Sequence, residues 1–130
     1  MEKPVNNSSE NIEKIKAKFL LIDDHKAIVE GARFLFDKFT DFTVAECHST
    51  EEALTAIFDH MPKVIFLDHS LTKGGSEGLE VAKILREKHL DIKIYSTTTN
   101  PYFEEEYKKL GISHIEKSDS DSIKAIIARG

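Results

Sequence analysis

The sequence predicts one α/β domain, a doubly wound, five-stranded parallel sheet with five helices. From Phe19 onward, five short apolar runs alternate with longer segments of helical period, which is the pattern of repeated βα units. The first and third runs, Phe19–Ile22 and Val64–Leu67, are apolar at every position, as expected of parallel strands covered on both faces. The length of 130 residues, with 40% hydrophobic and 32% charged content, suits a single domain that buries a core without disulfides.

Residues 1–17 are polar, with Asn-Asn-Ser-Ser at 6–9, and read as a flexible tail that adds at most a helical turn near Ile12 and Ile15. The domain proper is expected over 18–130. Its first strand ends in Asp23-Asp24, and the next helix sets Ile28, Ala32, Leu35 and Phe39 on one stripe at spacings of three and four. A second strand, Phe42–Cys47, leads to Ser49 and Glu52, which have the spacing of a capping box. Leu54, Ile57, Phe58 and Met61 form the apolar face of helix two, and Pro62 stops it because proline cannot continue the ladder. The third strand stops at Asp68 and is followed by the glycine-rich stretch Lys73–Gly78, read as a flexible loop.

Helix three then carries Leu79, Val81, Ala82, Ile84 and Leu85. Strand four is expected at about Ile92–Ser96. Asn100-Pro101 opens helix four with a cap residue followed by proline at the first helical position. Phe103, Tyr107 and Leu110 supply its inner face, Glu104 pairs with Lys108 on its outer one, and Gly111 closes it. The last unit is a strand at Ser113–Glu116 and a helix bearing Ile123, Ile126 and Ile127.

Composition narrows the function. Eighteen basic against 23 acidic side chains give a net charge of −5, which argues against gripping nucleic acid directly. No apolar run approaches the ~18 residues a bilayer span requires, and the N-terminus lacks a secretory apolar centre. A cytoplasmic location and no membrane contact are expected. Cys47 is the one cysteine, so neither an internal disulfide nor a CxxC site is available.

In a doubly wound sheet, ligands gather outside the carboxyl ends of the strands. Those ends carry Asp23 and Asp24, Asp68, Ser96 with Thr97, and Lys117. Three carboxylates in a small space repel one another unless they share a proton or hold a cation. Oxygen-only ligands and a shallow site favour magnesium, which completes its shell with water and phosphate oxygens. A lysine and a hydroxyl opposite would take the remaining oxygens of a tetrahedral anion. The parts describe phosphoryl transfer, with Asp68 as the nucleophile. His25 and His69 each follow an acid, but their spacing matches no common metal motif and His69 points opposite to Asp68.

From about Lys18 onward the chain resembles the response-regulator receiver domains of two-component signalling, in particular stand-alone chemotaxis-type receivers. The resemblance rests on Asp23-Asp24, Asp68, Ser96 and Lys117 in that order at strand ends. It implies the flavodoxin-like fold with strand order 2-1-3-4-5. It also implies magnesium held by Asp23, Asp24, Asp68 and the backbone carbonyl of Ser70. Asp68 would take phosphate from the phosphohistidine of a sensor histidine kinase or phosphotransfer protein. Ser96 and Lys117 would contact phosphoryl oxygens, and Ser96 with His114 would form the switch. The implied output is a downstream protein partner or a phosphorylation-dependent dimer at the helix 4, strand 5, helix 5 surface. The resemblance implies a self-phosphorylating and self-dephosphorylating signalling domain rather than a turnover enzyme, one that acts on a separate partner, relays phosphate or forms part of a longer protein.

Several positions depart from the family pattern. Leu71-Thr72 replace the usual Met-Pro, and Gly78 arrives about two residues late. Thr97 replaces a small residue and narrows the entrance, while Ser118 stands where proline commonly follows the lysine. His114 replaces an aromatic ring, making the switch either pH-sensitive or simply smaller. These changes leave open a second class, a phosphorylation-independent binding module. A haloacid-dehalogenase-type phosphatase wants an acid two residues after the nucleophile, and Ser70 is there instead.

Overall fold

The computed structural model describes residues 18–97 and 101–129. Its elements are β1 (Phe19–Asp23), α1 (Lys26–Leu35), β2 (Phe42–Glu46), α2 (Thr50–His60), β3 (Val64–Leu67), α3 (Glu77–Glu87) and β4 (Lys93–Ser96). A 3-10 turn (Pro101–Phe103) then enters α4 (Glu104–Lys109), followed by β5 (Ser113–His114) and α5 (Ser120–Arg129). The expected tail at 1–17 and the expected cap at Asn100 lie outside the described residues. All five strands are parallel, in the order β2-β1-β3-β4-β5.

The apolar runs are continuous because alternate side chains feed two separate cores. Phe19 and Leu21 of β1, with Phe66 of β3, meet Val29, Ala32 and Phe36 from α1 and Ile123, Ile126 and Ile127 from α5. Leu20 and Ile22, with Ile65, Leu67 and Ile94, meet Ala53 and Ile57 of α2, Val81 and Leu85 of α3, and Tyr107 of α4. Two helices thus cover one face and three the other. No helix among the described residues is long and apolar enough to cross a membrane.

Helix boundaries follow local chemistry. Ser49 Oγ accepts from the Glu52 backbone N at 3.0 Å, while Glu52 Oε1 accepts from the backbone N of His48 at 2.7 Å. The reciprocal half of the capping box therefore reaches one residue further back than expected. Met61, in left-handed geometry at φ 46°, caps α2, and Pro62 prevents its continuation. Gly111, at φ 74°, turns the chain from α4 toward β5, a conformation that glycine adopts without steric cost.

Four expectations need correction. The α1 stripe is half as expected, since Ala32 is buried and Phe39 packs partly buried against the core, but Val29 and Phe36 are buried in place of Ile28 and Leu35, which are exposed. Both sets satisfy spacings of three and four, so periodicity did not separate them. On α2, Phe58 and Met61 are exposed and Ala53 takes the inner position beside Ile57, because a small side chain lets the helix approach the sheet. Strand five closes after two residues, the Ile115 N–H still donating to Ser96 O at 2.8 Å before the chain turns at Lys117. On α4 the ion pair among the described residues is Glu106 with Lys109, at 4.0 Å, rather than Glu104 with Lys108.

Candidate functional site

Backbone hydrogen bonds register the strand ends that carry the acids. Asp68 N donates to Ile22 O at 3.0 Å, and Thr97 N donates to Leu67 O at 3.0 Å. Asp68 and Ser96 are thereby fixed relative to Asp23. Asp23, Asp68, Ser96 and Thr97 are all buried, while Asp24 is partly buried at the rim, its side chain 18% exposed. Lys117 comes in from the turn after β5, its Nζ 3.2 Å from Asp23 Oδ2 and 3.1 Å from Asp68 Oδ1.

One lysine does not neutralise three carboxylates. Burial first, then the charge of Asp23, pushes the Asp68 carboxyl up from 3.8 to about 6 against the opposing pull of Lys117. Burial works against the charge on Lys117, but the carboxylates of Asp68 and Asp23 outweigh it and hold its pKa above the ordinary value. Among the described residues, no hydrogen-bond donor reaches the buried Asp68 Oδ2. Ligand atoms of Asp23, Asp24, His25 and Asp68 lie within 4.8 Å of one another. An orphaned carboxylate oxygen facing a cluster with excess negative charge fits a hard divalent cation.

The structure also brings in a residue that spacing had set aside. His25 Nδ1 lies 3.3 Å from Asp23 Oδ1, and its backbone N–H donates to that oxygen at 2.9 Å. The same ring nitrogen is 3.0 Å from Asp24 Oδ1, without the alignment of a hydrogen bond. The signal was present in the sequence, since His25 directly follows the acidic pair.

The loop after Asp68 is tied down, contrary to its reading as flexible. Glu77, at the head of α3, accepts from Leu71 N at 2.9 Å and from Thr72 Oγ1 at 2.5 Å. Ser70 Oγ donates to Gly75 O at 2.6 Å. Gly78 is dictated by close approach, as a Cβ there would collide with the Asp68 carbonyl. An acid at the start of α3 thus holds by hydrogen bonds a loop that its glycines alone would leave loose.

His69 points away from Asp68, as alternation requires, into the core under α4. Its Nδ1 is 2.6 Å from Tyr107 Oη, and its ring stacks on Phe103 with centroids 4.2 Å apart. Tyr107 is buried and also hydrogen-bonded to Ser96. Burial, foremost, raises its phenol well above the ordinary value. His114, beside Ser96 in the ladder, turns its ring to Glu116 at 3.3 Å. Asp23, Asp24, Asp68 and Lys117 therefore meet directly, with Ser96 on the adjacent strand end. The His69–Tyr107 link escaped sequence reasoning because its members are 38 residues apart.

An apolar groove of about 310 Å³ runs from this edge between α1 and α5, lined by Ile28, Phe34, Leu35 and Ile123 and reaching Asp23 and Lys117. Phe34 is 87% exposed beside it.

Residues 19–128 match the family described as the response regulator receiver domain. The chain is 34% identical over 76 residues to the transcriptional activator protein ExaE of Pseudomonas putida, which covers 58% of this chain and 35% of that protein. It is 35% identical over 86 residues to a nitrate/nitrite response regulator protein homolog of Haemophilus influenzae, covering 65% and 40%. The aligned regions thus span only 35% to 40% of the length of these curated relatives. Among solved structures it is similar to a DNA-binding response regulator of the LuxR family from Staphylococcus aureus. That match has a TM-score of 0.67 and 26% identity, and covers 85% of this chain and 93% of that one. It also shares the fold of response regulator protein TrrA of Thermotoga maritima, solved in complex with Mg(2+)-BeF, with a TM-score of 0.68, 23% identity and coverage of 87% and 97%. With relatives described as a transcriptional activator and a DNA-binding regulator, the expectation of no nucleic-acid contact gains no support.

Proposed function

The chain belongs to the response regulator receiver domain family of two-component signalling, and from that premise we propose that Asp68 is its phosphoacceptor. The observation that carries the reading is the buried Asp68 carboxylate, with one oxygen on Lys117 and the other without a donor among the described residues. One oxygen is thus charge-paired and the other is open to attack or to a cation.

In the proposed transfer, a carboxylate oxygen of Asp68 forms the new O–P bond as the N–P bond of a phosphohistidine breaks. The electron pair returns to the imidazole, and an acyl phosphate remains on Asp68. Asp23, Asp24, Asp68 and the backbone carbonyl of Ser70 would hold magnesium, which supplies positive charge opposite the phosphoryl oxygens. Lys117, already 3.1 Å from Asp68, exchanges that contact for a phosphoryl oxygen. Ser96 moves onto another oxygen, and His114, paired with it in the β4–β5 ladder, forms the other half of the switch.

The apolar groove beside the acids suits a helical phosphohistidine protein, a sensor kinase or a phosphotransfer protein, laid along α1. A downstream partner or a second copy engages the α4–β5–α5 surface, where Tyr102 is 80% exposed. Cytoplasmic placement accords with such partners.

Intact mass after incubation with a small phosphodonor and magnesium at mild pH tests the reading. Native protein is expected to gain one phosphoryl group, and Asp68→Asn none, while Asp24→Asn gains it more slowly. Unchanged uptake by Asp68→Asn would remove Asp68 from the role. No uptake by folded native protein, beside a working control receiver, would favour the phosphorylation-independent binding module.

A further inference from the structure

Below the acids, the described polar side chains continue into the core as a connected path. Ser96, Tyr107 and His69 are each no more than 3% exposed. Tyr107 Oη is hydrogen-bonded to Ser96 and lies 2.6 Å from His69 Nδ1. His69 Nε2 is buried with no partner among the described residues. If Nδ1 carries the ring proton, it donates to Tyr107 Oη. Nε2 then stays a bare acceptor instead of an orphaned buried N–H, the rarer and costlier arrangement, and the phenol has Ser96 as its other partner. The path joins His69 through Tyr107 to Ser96.

Tyr107 belongs to α4, and His69 stacks on Phe103 at the entrance to α4 at 4.2 Å. A displacement of Ser96 toward the acids would draw it away from Tyr107. The buried phenol would then lose its Ser96 partner and keep His69, and a buried polar group left short of a partner is costly. The α4 segment must therefore shift when Ser96 does.

We propose that Tyr107 is a positioning residue for the phosphoryl site. It restrains Ser96 in the unloaded geometry and, through His69 and Phe103, ties loading of Asp68 to a rearrangement of α4. This rests on the phosphoacceptor reading above. Because coupling is reciprocal, a partner that holds the shifted α4 also favours the loaded site.

The test uses beryllofluoride with magnesium as a non-hydrolysable phosphoryl probe on the full chain. Its affinity is measured alongside the nitrogen resonances of the His69 ring. Tyr107→Phe keeps the ring and loses one hydrogen bond to Ser96, so it is expected to bind the probe about fivefold more tightly while melting no higher than native protein. His69→Leu should do the same. His69→Asn, whose amide nitrogen falls near the position of Nδ1, should restore native affinity. In native protein the His69 nitrogen signals should move on loading, and in Tyr107→Phe that movement should be lost. A purely structural hydroxyl predicts equal or weaker probe binding in Tyr107→Phe and native His69 signals unmoved by loading, and either result overturns the proposal. The native His69 signals decide the matter even if a variant fails to fold. No probe uptake by native protein would overturn the phosphoacceptor reading and this one together, whereas uptake with fixed His69 signals overturns this one alone.

Discussion

On the α1/α5 face of the sheet the filling is largely aromatic. Phe36, Phe42, Phe66 and Tyr95 stand in a row with successive ring centroids 4.7, 6.2 and 5.5 Å apart. On the α2/α3/α4 face it is largely aliphatic, interrupted by the His69–Tyr107 pair. The aromatic row crosses from β2 to β4 and, among the described residues, has no side-chain hydrogen bond leading to the acids. The aliphatic face has one, which ends on Ser96. Both faces stabilise the fold, but among the described residues hydrogen bonds link only the aliphatic face to Ser96 at the acidic edge. On the proposed reading, a partner entering along the α1 groove and a readout leaving through α4 would use opposite sides of one sheet.

The largest effect expected is on the aromatic side. Phe66 is fully buried and touches the rings of both Phe42 and Tyr95. Phe66→Ala should cost about 3–5 kcal/mol in a denaturant titration. Phosphoryl uptake per folded molecule should stay near native, since no hydrogen bond leads from this ring to the site. Loss of uptake from molecules that remain folded would break the distinction between the faces.

A smaller effect is expected where both faces meet the acids. The Asp68 carboxyl is held at about 6 against an ordinary 3.8, chiefly by burial and the charge of Asp23. The folded protein therefore binds this proton more tightly than the unfolded chain does. Its contribution to stability is full below about pH 4 and is lost as pH rises through about 6. Asp68→Asn should accordingly raise Tm at pH 7 by roughly 4 °C, with the gain vanishing at pH 4. A gain of equal size at both pH values would mean that the charge of Asp68 is not its cause. The same ionisation requires phosphoryl uptake by native protein to fall as pH drops through about 6.

Much of the active edge is legible in the amino-acid order itself. Strand ends are readable because apolar runs stop sharply at Asp23, Asp68 and Ser96, and a parallel sheet collects such ends along one edge. The convergence of Asp23, Asp24, Asp68 and Lys117 follows from topology alone. Helix phase is harder. On α1, Ile28 and Leu35 compete with Val29 and Phe36 at the same spacing, and only tertiary packing chooses the second pair. The hold of Glu77 on the loop and the Tyr107 link to His69 are hidden because neither is local periodicity. A clue to the second is there nonetheless, in two polar rings, His69 and Tyr107, set on otherwise apolar faces.

The smallest stability effect and the sharpest functional contrast are expected at Phe34. The side chain is 87% exposed beside the groove that ends at Asp23 and Lys117. A large apolar group left in water on a helix surface adds little to the fold, so Phe34→Ser should change stability by no more than about 0.5 kcal/mol. If the groove receives a phosphohistidine protein, the same substitution removes apolar contact from that encounter. Transfer from the protein donor should slow about tenfold while uptake from a small phosphodonor stays native, because the small donor needs only the acids and Lys117. Measuring both rates on one preparation separates docking from chemistry. Equal slowing with both donors would place Phe34 in the support of the site, and no slowing with either would move the docking surface off α1.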